Sequence, residues 1–165
     1  MSIAFLCPGQ ASQRVGMGYD LYNNTDLGKK YFDIANEIMN VDIKDIIFNG
    51  PEEQLKQTQF TQPAIYIVSV IIGELLINKG IKPACAAGHS LGEYSALSLA
   101  KSFDFATGLE LVKIRSEAMQ NACALNKGTM AAVIGLQDDK IIKICQSHNN
   151  EGIVVAANFN AKAQV

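Results

Sequence analysis

The residues with the clearest chemical potential are Gly88-His89-Ser90-Leu91-Gly92. A short apolar run, 84–88, precedes them, and a run of helical composition, 90–100, follows. A Gly-x-Ser-x-Gly sequence between a strand and a helix has a mechanical rationale. The glycines stand where side chains would collide with neighbouring backbone. The hydroxyl of Ser90 then stands above the sheet edge, and the helix N-terminus aims backbone N–H groups at a developing oxyanion. The N–H of Leu91 is the natural first donor. The alternative is a glycine-rich turn with an incidental serine. A chain of this composition contains about 0.05 such matches by chance, so coincidence is a poor account of this one.

A second loop, Pro8-Gly9-Gln10-Ala11-Ser12-Gln13, also follows an apolar run. Two such loops can meet at one edge of a parallel sheet, where α/β proteins place their sites. One would carry the nucleophile and the other a second oxyanion donor, the N–H of Gln10; the alternative is a plain polar loop. Arginine is scarce, at Arg14 and Arg115 alone. A guanidinium fork binds a carboxylate bidentately, which lysine does not do. If Arg115 faces Ser90, the substrate is an acyl group bearing a free carboxylate; otherwise Arg115 is a solvated helix residue. The serine also needs a base, and the chain has two histidines. His89 adjoins Ser90 on a tight turn, where neighbours point in different directions, and reads as a structural residue. His148 ends a polar helix and reads as surface. Neither is a convincing base.

The elements that must position these residues follow from periodicity and breakers. Ile3–Cys7 reads as a buried first strand ended by Pro8-Gly9. Leu27–Asn40 has helical spacing of Leu27, Tyr31, Ile34, Ala35 and Ile38. Pro51 suits the first position of a short helix, and Pro63 the first turn of an apolar helix 64–78 ended by Gly80. That helix is too short to span a bilayer and reads as buried. Ala84–Gly88 is a second strand. Asp104 is an N-cap for a helix reaching about Ala124, with Leu109, Val112, Ala118 and Met119 at helical spacing. After Gly128 the character changes: strand 129–134, amphipathic helix 138–148, strand 153–157. Residues 1–127 therefore read as an α/β core and 128–165 as the start of a separate β-α-β unit.

The bulk properties fit one globular chain of 165 residues, 48% hydrophobic and 18% charged. A net charge of −2 gives no electrostatic reason to expect nucleic acid or an anionic membrane. Cys7, Cys85, Cys123 and Cys145 contain no C-x-x-C pair, and three lie in apolar runs. Reduced core thiols are expected, not disulfides or a metal site. The N-terminus has no basic stretch before its short apolar run, so the cytoplasm is the default location.

Several segments together resemble malonyl-CoA:acyl carrier protein transacylase. They are Cys7-Pro8-Gly9-Gln10-Ala11-Ser12-Gln13, Thr61-Gln62-Pro63-Ala64, Gly88-His89-Ser90-Leu91-Gly92-Glu93-Tyr94-Ser95-Ala96, Arg115 with Met119-Gln120, and Gly128-Thr129-Met130-Ala131-Ala132. They occur in the family's order and spacing across essentially the whole chain. The resemblance implies a hydrolase-like parallel-sheet core with a ferredoxin-like subdomain, here incomplete. It implies that Ser90 is malonylated by malonyl-CoA and passes the group to the phosphopantetheine thiol of an acyl carrier protein in fatty acid synthesis. Arg115 would hold the malonyl carboxylate, Gln10 and Leu91 would form the oxyanion hole, and Gln62 and His89 would line the pocket. No permanently bound cofactor and no metal are implied.

Two departures stand out. Cys7 and Ala11 occupy positions where the family usually has Phe and Gly, and Ala11 would be strained if its φ is positive. Family members also run nearly twice as long, and their base histidine comes from the part missing here. The chain is therefore expected to be a fragment, marginally stable or self-associating, and nearly inactive alone, because loss of a triad histidine costs up to about 10⁶ in rate. Two other functions stay open: an acyltransferase or acyl hydrolase acting in trans for a polyketide synthase, and a non-catalytic carrier-protein-binding module.

Overall fold

The computed structural model describes residues 2–125, 128–148, 150 and 152–165. The chain divides into two compact units, 1–126 and 127–165. Residue 127, where the sequence places the end of the core, lies outside the described residues, as does Asn149 after His148.

The first unit is α/β. Strand β1 (Ala4–Cys7) pairs in parallel with β2 (Cys85–Gly88), with Ala4 opposite Cys85 and Cys7 opposite Gly88. Between them run α1 (Tyr19–Asn24), α2 (Asp26–Met39), α3 (Ile43–Asn49), α4 (Glu52–Leu55) and α5 (Thr58–Asn78). After β2 come α6 (Gly92–Leu99) and α7 (Phe105–Leu125). Helices α1 and α3 have no counterpart in the sequence reading. The strands fall where expected, but β1 is not buried throughout. Cys7 is covered while Leu6 is 79% exposed, because strand side chains alternate between faces and only one face of this two-stranded sheet carries packed helices.

Helix α5 is the hub of the core. Ala64, Ile65, Tyr66, Ile67, Val70 and Ile71 on it are buried. It packs against α2, α6 and α7. Its length corrects an expectation. The helix begins at Thr58, not Ala64, and Pro63 sits inside it. An interior proline leaves the carbonyl four residues earlier without its N–H. That carbonyl belongs to Gln59; the Ser116 hydroxyl of α7 lies 3.5 Å from it but donates at 2.9 Å to Lys113 O within its own helix. At 21 residues α5 passes the length and composition test for a membrane span, contrary to the expectation of a segment too short for one, but over half of it is buried inside this protein.

Two interruptions of its apolar run also have reasons. A Cβ on Gly73 would come within 2.5 Å of the Leu99 side chain of α6. Glu74 accepts from Tyr31 Oη at 2.7 Å and from Lys101 Nζ at 2.8 Å. Helix α7 is capped as expected, Asp104 Oδ1 accepting from Thr107 N–H at 2.8 Å. Its buried stripe is Phe105, Gly108, Leu109, Val112 and Ser116. Ala118 and Met119, read as part of that stripe, are exposed; they lie on the adjoining face. Tyr66 ties the two helices together, donating to Phe105 O at 3.1 Å.

The second unit holds α8 (Asp138–Ser147), close to the expected helix. The expected strands 129–134 and 153–157 do not form. Instead Val133 and Val165 exchange both backbone bonds, at 2.8 and 3.1 Å, and Ile134 and Gln164 form an isolated antiparallel bridge. A strand needs a ladder partner, and Ile153 and Val155 are left 96% and 68% exposed. Of the cysteines expected as core thiols, Cys7 is buried; Cys85 and Cys123 are exposed, so they are not core thiols.

Candidate active site

The serine turn is built from backbone constraints. The N–H of His89 donates to Cys7 O at 3.0 Å, carrying the β1–β2 ladder one residue past the strand. The first turn of α6 is already closed, with Gly92, Glu93 and Tyr94 donating back to His89, Ser90 and Leu91 at 2.9, 3.2 and 3.0 Å. Between these two anchors Ser90 adopts φ +54°, a left-handed conformation that costs a non-glycine residue about 1–2 kcal/mol. Both flanking glycines are sterically required. A Cβ on Gly88 would lie 2.0 Å from the Gly92 carbonyl carbon, and one on Gly92 would lie 2.2 Å from Cys7 O. Leu91 is fully buried and pins the turn from beneath, while Ser90 is exposed.

The loop after β1 meets this turn. A Cβ on Gly9 would lie 2.7 Å from His89 O and 2.8 Å from His89 Nδ1, so only glycine lets the two loops touch. The imidazole of His89 is therefore turned toward the β1 loop. Ala11 has φ +81°, the strained geometry foreseen for a non-glycine residue there. The loop fastens itself: Ser12 Oγ donates to Gly9 O at 2.8 Å, and Gln13 Oε1 accepts from Ala11 N–H at 2.9 Å. Gln10 Nε2 reaches Thr58 Oγ1 at 3.4 Å, at the start of α5. Among the described residues, no protein group accepts from the N–H of Gln10 or of Leu91.

Arg115 is the third component, and it is not a solvated helix residue. From the middle of α7 its Nη2 donates to Ser90 Oγ at 3.0 Å, and its Nη1 donates to Gln62 Oε1. The guanidinium carbon lies 5.9 Å from the centroid of the Tyr94 ring. Gln62 is fully buried, so both ends of its amide need partners. The carbonyl takes Arg115, and Nε2 points to Met119 Sδ at 3.3 Å. Thr58, one turn before Gln62 on α5, gives its N–H to Gln120 Oε1 at 3.1 Å.

Chemically, this places an exposed serine hydroxyl beside a permanently charged fork. A guanidinium cannot take the serine proton, so Arg115 is not the base. His148 belongs to the second unit. Burial pushes the Cys7 thiol up, so it is no competing nucleophile. Among the described residues no three of His, Cys, Asp and Glu cluster as metal ligands.

A family model described as the acyl transferase domain matches residues 4–165. The chain belongs to the acyl transferase domain family. Within it, the chain is similar to the malonyl CoA-acyl carrier protein transacylase of a Synechocystis species, 45% identical over all 165 residues and 54% of that protein. A polyketide biosynthesis malonyl CoA-acyl carrier protein transacylase of Bacillus subtilis is 40% identical, over 99% of this chain and 54% of that protein. Among solved structures, a malonyl-transacylase in complex with a type II polyketide synthase acyl carrier protein superposes with a TM-score of 0.89, at 38% identity, over all of this chain and 54% of that one. This acyl transferase chain thus spans about half the length of the relatives it matches.

Four contributors to the site have no role assigned by sequence reasoning alone: Tyr94, Met119, Thr58 and Gln120. The available signal was helical spacing. Arg115 and Met119 on α7, and Thr58 and Gln62 on α5, are each four apart, one turn along one helix face.

Proposed function

We propose that this chain carries the nucleophile half of an acyltransferase that moves a malonyl group from coenzyme A to the phosphopantetheine thiol of an acyl carrier protein. The observation that carries this reading is the Arg115–Ser90 contact of 3.0 Å. It sets a permanently charged fork directly beside the nucleophile, within reach of a carboxylate on a short acyl chain. Ser90 Oγ attacks that carbon, the thiolate of coenzyme A leaves, and a malonyl ester of Ser90 remains. The carrier-protein thiol then attacks the ester and frees the hydroxyl. The N–H groups of Gln10 and Leu91 hold the oxyanion in both steps. Arg115 binds the carboxylate bidentately, Gln62 holds the guanidinium in register, and His89 shapes the pocket wall.

The malonyl transacylases named above support malonyl as the donor group, and the solved complex supports the carrier protein as acceptor. One of them is named for polyketide biosynthesis; for this chain we assign fatty acid synthesis in the cytoplasm. We read the first unit as part of a hydrolase-like core, residues 1–127, and residues 128–165 as part of a ferredoxin-like subdomain. The base that takes the Ser90 proton is assigned to neither histidine, so the 165-residue chain is expected to acylate slowly.

Incubation with malonyl-CoA followed by intact-mass analysis tests this. The expected result is slow addition of one malonyl group, mapped to Ser90 and lost in Ser90→Ala. Addition that persists in Ser90→Ala would overturn the assignment.

A further inference from the structure

Gln120 has no part in the reaction proposed above, yet it sits at the junction of three site elements. Thr58 is the first residue of α5, and the N-cap, Gln57, makes no side-chain cap. The first orphan N–H of this 21-residue helix is therefore satisfied not locally but from α7, by Gln120 Oε1 at 3.1 Å. Thr58 receives Gln10 Nε2 on its hydroxyl at 3.4 Å. One turn later Gln62 engages Arg115. The start of α5 thus joins the loop after β1, through Gln10, to the helix that carries Arg115.

We propose that Gln120 is a positioning residue for acyl transfer: by fixing Thr58 it holds the Gln10 loop, and with it the Gln10 N–H, over Ser90. This rests on the oxyanion role assigned above. The loop needs an outside anchor. Its internal bonds, from Ser12 and to Gln13, preserve its shape but do not place its tip. Gly9 against His89 fixes only its base. Gln10 and Ala11 are exposed, and Ala11 is held at φ +81°, so the tip has little packing to restrain it. The Gln10–Thr58 bond is long and exposed, hence weak alone. It restrains the loop only if Thr58 is itself held, and that is what Gln120 does. A donor moved by about 1 Å from its productive position costs up to roughly a hundredfold in rate. Loosening it without removing it should cost about tenfold.

The test uses this chain with Gln120→Leu, which removes the acceptor, Gln120→Glu, which keeps an acceptor oxygen at the same reach, and Thr58→Val, which removes only the hydroxyl facing Gln10. Amide NMR spectra and hydrogen exchange report the loop; single-turnover acylation by malonyl-CoA, followed by intact mass, reports the chemistry. Gln120→Leu is expected to shift the Gln10 and Ala11 amides and speed their exchange. It should slow acylation at saturating malonyl-CoA about tenfold, with the half-saturating concentration unchanged. Gln120→Glu should restore both readouts, and Thr58→Val should reproduce the Gln10 effects. If Gln120→Leu moves only the Thr58 amide, or moves the loop without slowing acylation, the positioning role is overturned and Gln120 is a helix cap. If the wild-type chain takes no malonyl group, the functional reading fails separately; displaced Gln10 and Ala11 amides in both Gln120→Leu and Thr58→Val would still support the positioning, and unmoved ones would overturn it.

Discussion

Arg115 is the residue on which substrate choice turns. Its fork has one arm on Ser90 and one on a buried amide that has no other acceptor to offer. Lysine has the charge but not the fork, and its single ammonium cannot bridge Gln62 and a carboxylate at the same two angles. Arg115→Lys is therefore expected to lower the rate of Ser90 acylation by malonyl-CoA about a hundredfold, and Arg115→Ala by more, since a charge-assisted bidentate contact is worth about 3 kcal/mol. Neither change should lower acylation by acetyl-CoA comparably, which a side-by-side mass assay would show. Equal losses with both donors would mean that Arg115 holds the serine turn and not the acyl group. That Arg115 matters was legible from its rarity and its chemistry. That it is held by Gln62 and lies over Tyr94 was not, because those contacts join α5, α6 and α7, and no local pattern registers contacts between helices distant in sequence.

At the scale of elements, close backbone approach governs the site. The turn between β2 and α6 works because Gly92 lies against the end of β1. Gly92→Ala would drive a methyl group into the Cys7 and Pro8 carbonyls. We expect it to cost about 3 kcal/mol of stability, read from chemical denaturation, and to abolish Ser90 acylation even where the variant remains folded. The two glycines, the two strands and the cap at Asp104 could be read from sequence because each is a local signal. The start of α5 could not. Pro63 reads locally as a first-turn residue, and nothing in the neighbouring sequence signals that the helix already starts at Thr58. The strands expected after Gly128 failed for a related reason: apolar alternation states which residues suit a strand, but not whether a partner strand is present to pair with them.

For the whole molecule, titration sets the stable range of pH. Asp104 and Asp42 cap α7 and α3, and backbone N–H bonds hold both carboxyls below the usual value of 3.8. Groups with lowered folded values stabilise above the unfolded value and lose that contribution as pH falls through the folded one. At the other end, burial pushes the Cys7 thiol above 9.0, Tyr66 up to about 12, and Tyr31 higher still, aided by its bond to Glu74. Their contribution is complete below the unfolded values and disappears as pH rises through the folded ones. Stability is therefore expected to be flat from about pH 5 to 8 and to fall below pH 4 and above pH 9. Tyr66 alone should account for roughly 2–3 kcal/mol of the alkaline loss. Denaturation midpoints across pH would check this, and Tyr66→Phe should flatten the alkaline limb.

The bond between Arg115 and Ser90 also bears on timing. One guanidinium cannot keep its grip on the hydroxyl and fully embrace an incoming carboxylate. In the proposed reaction the resting serine is latched, and the group that opens the latch is the acid end of the right substrate. A thioester with a neutral tail finds the hydroxyl still engaged. Discrimination is then exercised twice, first in how tightly a donor is held and again in whether its arrival releases the atom that must attack it.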